Sequence, residues 1–204
     1  DVVAASRFQT KMWNIVRFSL MQIKKESSVP KTDKPGIDIF VKAGTKGETV
    51  YIPVVIDESG MTDVVYNDFF IKEGADVTII AGCGIHNCGA EDSEHDGIHR
   101  FYLEKNSHVK YIENHYGSGD GNGKRILNPV TEVYMDQGSS CEMEMVQIKG
   151  VDSTIRTTKS ELKAGAKLVV RERLMTHGKQ YAESVYLTEL NGDGSSADVV
   201  SRSV

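Results

Sequence analysis

A short turn phrase that returns at a nearly constant interval restricts this chain's fold more than any other feature. It reads as an apolar residue, two polar residues, Gly or Asn, a small residue, and then alternating apolar positions. Clear copies are Ile71-Lys72-Glu73-Gly74-Ala75-Asp76-Val77-Thr78-Ile79, Leu103 to Tyr111, Met135 to Met143 and Leu162 to Val170. Weaker copies surround Gly44 and Gly194. The turn residues at 74, 106, 138, 165 and 194 lie 32, 32, 27 and 29 positions apart. Gly and Asn tolerate the positive φ of a tight turn, and the small residue after them lets the chain fold back closely. The alternation that follows sends one face inward. A unit of one turn plus strands, repeated at a fixed period, buries its apolar face only against its neighbours, which describes a solenoid. The reading is therefore mainly β: a parallel β-helix over 37–204. An antiparallel sandwich is the competing architecture, and turn signals every 8–12 residues would favour it.

Residues 1–28 follow another rule. Phe8, Met12, Ile15, Val16, Leu20 and Ile23 recur at helical spacing, with Arg7, Lys11, Lys24 and Lys25 off that face. The expectation is a short helical or irregular segment packing on its own domain and able to cap one solenoid end. Val16 to Leu20 would also serve as an alternating strand. Residues 29–36, with Pro30 and Pro35, read as a linker. At the other end Val199 to Val204 begins another strand, so the β-helix is expected to be incomplete at its C-terminal end.

Composition narrows the function classes. The formal charge is −5 with a pI near 5.7, a poor generic match to nucleic acid or anionic lipid. No apolar run approaches the roughly 18 residues of a membrane-spanning helix. Three cysteines without a secretory signal point to reduced thiols and a cytoplasmic setting rather than to disulfides.

Two of the three cysteines and three of the six histidines crowd into one stretch: Cys83, His86, Cys88, His95 and His99. Thiolate and imidazole at this density suit zinc, copper(I) or iron–sulfur chemistry, and Glu91, Asp92, Glu94 and Asp96 add carboxylates. The spacing does not form a Cys-x2-Cys pair. The same stretch also reads as a plain loop whose cysteines pack as small hydrophobes. Cys141 shares a strand face with Met143 and Met145 and reads as a core thiol, with sulfur carriage as the alternative. The glycine-rich run Gly117 to Arg125 lacks P-loop spacing and reads as a mobile loop. Tyr111, His115, Tyr116 and His177 stand isolated. No Gly-x-Ser-x-Gly elbow is present, and no carboxylate pair supports a sugar-active lyase or hydrolase.

Three stretches, Ile79-Ile80-Ala81-Gly82-Cys83, Gly97-Ile98-His99-Arg100-Phe101-Tyr102-Leu103-Glu104-Lys105-Asn106 and Glu113-Asn114-His115-Tyr116, resemble the SufB/SufD family of iron–sulfur cluster assembly proteins. Lys163 to Lys167 and Gly194 to Arg202 look similar too, so the likeness spans about 37–204 and is closest to short SufB-like members. The resemblance implies a right-handed parallel β-helix and a cytoplasmic, non-enzymatic scaffold on which iron and sulfide become a cluster for transfer to apoproteins. It implies a soluble SufC-like ABC ATPase as partner, hydrolysing the ATP, and a homodimer or a SufB/SufD-type heterodimer. The alternative is a structural SufD-like subunit without its own cluster. Cys83 and Cys88 are the expected cluster ligands, within the wider metal set Cys83, His86, Cys88, His95 and His99. Family members continue past the position of Val204 through a Gly-His-x-x-Cys stretch and a His-Glu-Ala-Ala region, which have no counterpart positions here.

Overall fold

Alternating burial along nearly every strand is the pattern from which the fold is built. In a computed structural model, residues 26–204 are described, and the expected N-terminal helix lies outside them. Fourteen strands and no helix make up this part. They are β1 (Glu26–Pro30), β2 (Gly36–Val41), β3 (Lys46–Ile56), β4 (Thr62–Ile71), β5 (Asp76–His86), β6 (Ser93–Leu103) and β7 (His108–Ser118). The rest are β8 (Arg125–Leu127), β9 (Val130–Met135), β10 (Ser140–Lys149), β11 (Ser153–Leu162), β12 (Lys167–Leu174), β13 (Tyr181–Leu190) and β14 (Ser196–Ser203).

The strands sort into two sheets by alternation along the chain. One runs β2-β4-β6-β8/β9-β11-β13, and the other β3-β5-β7-β10-β12-β14, all pairings parallel. Each coil contributes one strand segment to each sheet, giving about six coils of a parallel β-solenoid. The exception is β1, which pairs antiparallel with β2 at the sheet edge. Residues that the sequence assigns partly to the N-terminal segment and partly to a linker are thus paired backbone. Pro30 is tolerated there because an edge strand has a free N–H side.

The turn phrase sits where the repeat arithmetic places it. Gly44, Gly74, Gly138, Gly165 and Gly194 have φ between 64° and 71°, and Asn106 takes the same place at φ 55°. Each of these turns before the last also hydrogen-bonds to the one above it, as in Gly74 N–H to Lys105 O at 3.0 Å and Asn106 N–H to Gln137 O at 3.1 Å. Stacking therefore comes with backbone satisfaction at the corners.

Register makes columns of like residues. Phe40, Phe70, Tyr102 and Tyr134 stack face to face on the outer side of the first sheet, with centroids 4.8, 5.0 and 5.2 Å apart. Inside, Phe69 stacks on Phe101 at 4.5 Å, and Tyr111 meets Phe101 edge-on at 4.9 Å. Such ring pairs add roughly 0.5–1.5 kcal/mol each beyond area burial. The column Val50, Ile79, Tyr111, Met143, Val170 carries the apolar core from coil to coil.

Candidate functional site

Further along the second sheet, the inward columns change chemistry. The column after Ile79 reads Ile52, Ala81, Glu113, Met145, Glu172, and the one beyond it reads Val54, Cys83, His115, Gln147, Leu174. From the facing sheet β6 turns His95, Gly97 and His99 inward, β4 supplies Asp63, and β11 supplies Arg156. All of these side chains are buried, and together they form a charged group in a part of the lumen that also buries Asn67, Thr131, Thr158 and Gln147.

The contacts run as a chain. Asp63 Oδ2 lies 2.8 Å from His95 Nδ1. His115 Nε2 is 3.4 Å from Glu113 Oε1, and Tyr111 donates its hydroxyl to that same oxygen at 2.8 Å. Arg156 binds Glu113 through Nη1, approaches His115 Nδ1 at 3.1 Å through Nη2, and pairs with Glu172 through Nε at 3.2 Å. Glu172 is completed by the hydroxyls of Ser184 and Ser201, at 2.8 and 2.6 Å. A ligand atom of Cys83, one of Glu113 and one of His115 lie within 4.8 Å of one another.

Proximity shifts the protonation of these groups. Burial pushes the Cys83 thiol up, but the charge of His95 and the N–H groups of His115, His95 and His99 outweigh it and hold the thiol well below its usual range. Burial opposes a charge on His95, yet Cys83 and Asp63 prevail and hold the imidazole up to about 10. Glu113, despite burial, is kept well below the carboxylate range by His115 and Arg156. Tyr111 is pushed well above its usual range by burial, then by Glu113 and Cys83. Cys141 has no such company: burial and Glu142 push it up to about 12, which fits the core thiol expected from its strand face.

The five residues that the sequence groups together separate into two places. Cys83, His95 and His99 meet in the lumen. His86 and Cys88 are exposed at and beyond the end of β5, where Cys88 Sγ lies 3.2 Å from His86 Nε2 and His86 Nδ1 lies 2.9 Å from Ser118 Oγ. Between the two places Asn87 is fully buried. It ties the loop 87–91 to itself and to Lys124, and the backbone N–H groups of Gly121 and Gly123 hydrogen-bond to Asn87 and Gly89. The glycine-rich run thus stacks on the neighbouring coil's loop. A Cβ on Gly119, Gly121 or Gly123 would fall 2.0–2.2 Å from backbone oxygens there, so the glycines permit close stacking.

Sequence reasoning leaves His115 isolated and assigns Glu113, Asp63, Arg156 and Glu172 to no site. The signal lies in the period itself. His115 stands one full repeat after Cys83 and directly beside it in register, and His95 stands in the same relation to Asp63. Compared with protein-family models and with curated proteins, the chain matches none.

As a seat for an iron–sulfur cluster the lumen is poorly equipped. Clusters are held chiefly by several thiolates, and only Cys83 lies in the charged group, with Cys88 outside and Cys141 in another column. The donor set of one thiolate, imidazoles and a carboxylate suits a single ion instead. Among the described residues, no helix is long and apolar enough to cross a membrane.

Proposed function

We propose that this chain is a subunit of an iron–sulfur cluster assembly system, a scaffold working with a SufC-like ABC ATPase that hydrolyses the ATP. The observation that carries the reading is a β-solenoid bearing the SufB/SufD-like stretches on consecutive coils. In this reading the cluster is cargo. It is held at an interface between subunits, where exposed Cys88, with the His86 imidazole at 3.2 Å, supplies one thiolate and the second subunit supplies others. ATPase movement would open and close that interface, and apoproteins would take the cluster away.

The test is anaerobic reconstitution of the chain with iron and sulfide, together with its partner subunit and ATPase. Cluster absorbance should appear and should fall with Cys88→Ser. No absorbance from the assembled complex would end the scaffold reading. The shortage of lumen thiolates also supports the alternative of a SufD-like structural subunit. A cysteine-free chain that still captures the ATPase, within a complex whose cluster survives Cys88→Ser, would decide for that alternative.

A further inference from the structure

We infer that the solenoid lumen holds one divalent first-row transition-metal ion, bound by Cys83 and His95 and completed by Glu113 and His115. The inference does not rest on the iron–sulfur reading. It starts from poorly satisfied atoms: His95 Nε2, both nitrogens of His99 and His115 Nε2 are buried without a well-formed hydrogen bond, with only the Cys83 sulfur and, 3.4 Å from His115 Nε2, Glu113 Oε1 beside them. A buried polar atom left alone costs roughly 1–3 kcal/mol, so three imidazoles aimed into one region need a reason. An ion held by His95 and His115 is that reason for two of them, and His99 stands beside it.

The orientation of His95 is that of a metal ligand. Its Nδ1 is taken by the Asp63 carboxylate at 2.8 Å, which turns Nε2 inward. A carboxylate on the far nitrogen is the usual support for a ligating histidine, fixing its ring and raising its basicity. Cys83 supplies sulfur on one side, and Glu113 and His115 lie with it inside the 4.8 Å group. A contraction of about 1 Å brings these three donors to tetrahedral ligand spacing, and His95, outside that group, would close on the ion from the facing sheet.

Space for the ion is provided by Gly97, whose backbone φ lies outside the left-handed region and so does not require glycine. A Cβ there would fall 2.9 Å from His99 Nε2 and 3.5 Å from His95 Nε2, so the missing side chain leaves a gap between the two imidazoles. Charge favours the same occupant. Asp63, Cys83, Glu113 and Glu172 are four buried acidic groups facing a single guanidinium, Arg156. A dication supplies the compensation that would otherwise require protonated imidazoles. The mixture of one soft donor with nitrogen and oxygen selects Fe2+, Co2+ or Zn2+ over Mg2+ or Ca2+.

Cobalt(II) is the probe, added under anaerobic conditions to the full chain after chelator treatment. One Co2+ per chain is expected, with a thiolate-to-cobalt charge-transfer band in the near ultraviolet. Cys83→Ser should abolish the band, and Cys88→Ser and Cys141→Ser should leave it. Asp63→Asn, which keeps every ligand, should weaken binding by about 10–100-fold. Gly97→Ala, which keeps every ligand and Asp63 as well, should weaken binding by filling the gap. Circular dichroism identifies the variants that fold, and the conclusion is drawn from those. A wild-type chain without the charge-transfer band overturns the inference, as does a band that survives Cys83→Ser or disappears with Cys88→Ser. A failure here leaves cluster reconstitution through Cys88 standing, because that test reads a different thiol.

Discussion

The lumen has two halves built on the same backbone and filled by opposite chemistry. Next to the Gly/Asn turns the inward columns are chiefly Ile, Val, Leu, Phe and Met, with Cys141 and Ser160 among them and the Tyr111 hydroxyl at the boundary. Further along the strands they become Glu113, Glu172, Cys83 and His115, met by Arg156 from the facing sheet. Pairing, register and burial do not distinguish the halves, so the solenoid itself does not require the charges. The apolar half shows what stability alone would select. The charged half is what was added, at a cost in desolvation, and its retention is the argument for a site.

The largest break in this comparison comes at Arg156. Arg156→Ala leaves Glu113 and Glu172 buried without their cation, and it should cost about 3–5 kcal/mol in denaturant unfolding. The triple change Arg156→Met, Glu113→Gln and Glu172→Gln removes the charges together and should recover most of that loss. If the triple variant is as unstable as the single one, burial of charge is not what Arg156 resolves.

A second break uses pH on the chelator-treated chain. In the unfolded chain His95 titrates near its ordinary 6.5 and Cys83 near 9.0. In the fold the thiol is lowered and the imidazole is raised to about 10. Above 9 the unfolded thiol has lost its proton, as the folded one has at lower pH, while folded His95 keeps its own until about 10, so stability falls as pH rises. Subtracting the profile of Cys83→Ser/His95→Gln from that of the parent chain should leave this alkaline shoulder, and a flat difference would remove the ion pair.

At the boundary between the halves, Tyr111→Phe withdraws one hydroxyl from Glu113 and should cost about 1–3 kcal/mol. Wholly inside the apolar half, Ile79→Val removes one methylene and should cost about 0.5–1.5 kcal/mol, with no effect on cobalt binding.

How much of this is legible in the sequence follows from the same two halves. The turn phrase and the alternation make the solenoid legible, because they are local and repeat. Cys83, His95 and His99 group together because they are near in sequence. Glu113, His115 and Arg156 do not, since they enter only when successive coils stack in register. His86 and Cys88 join the lumen residues in the sequence by proximity alone. The alternation that turns Cys83 and Ile85 inward puts His86 on the outer side of β5, and past the strand end Asn87 is buried while Cys88 is exposed.

The smallest expected effect tests the corner on which the repeat depends. Asn106 is the one non-glycine at positive φ among the described residues, and it occupies a place that Gly holds in the coils on either side. Asn tolerates that region better than other L-residues, because its short polar side chain can hydrogen-bond locally. Glycine would relieve what strain remains, but it gives the unfolded chain more freedom to lose. The two effects oppose each other, and Asn106→Gly should change stability by no more than about 0.5 kcal/mol. Asn106→Ala has neither advantage and should cost about 1 kcal/mol or more. Equal unfolding midpoints for the Gly and Ala variants would mean that backbone sterics do not select the residue at this corner, and that the stacked hydrogen bonds alone hold the turn.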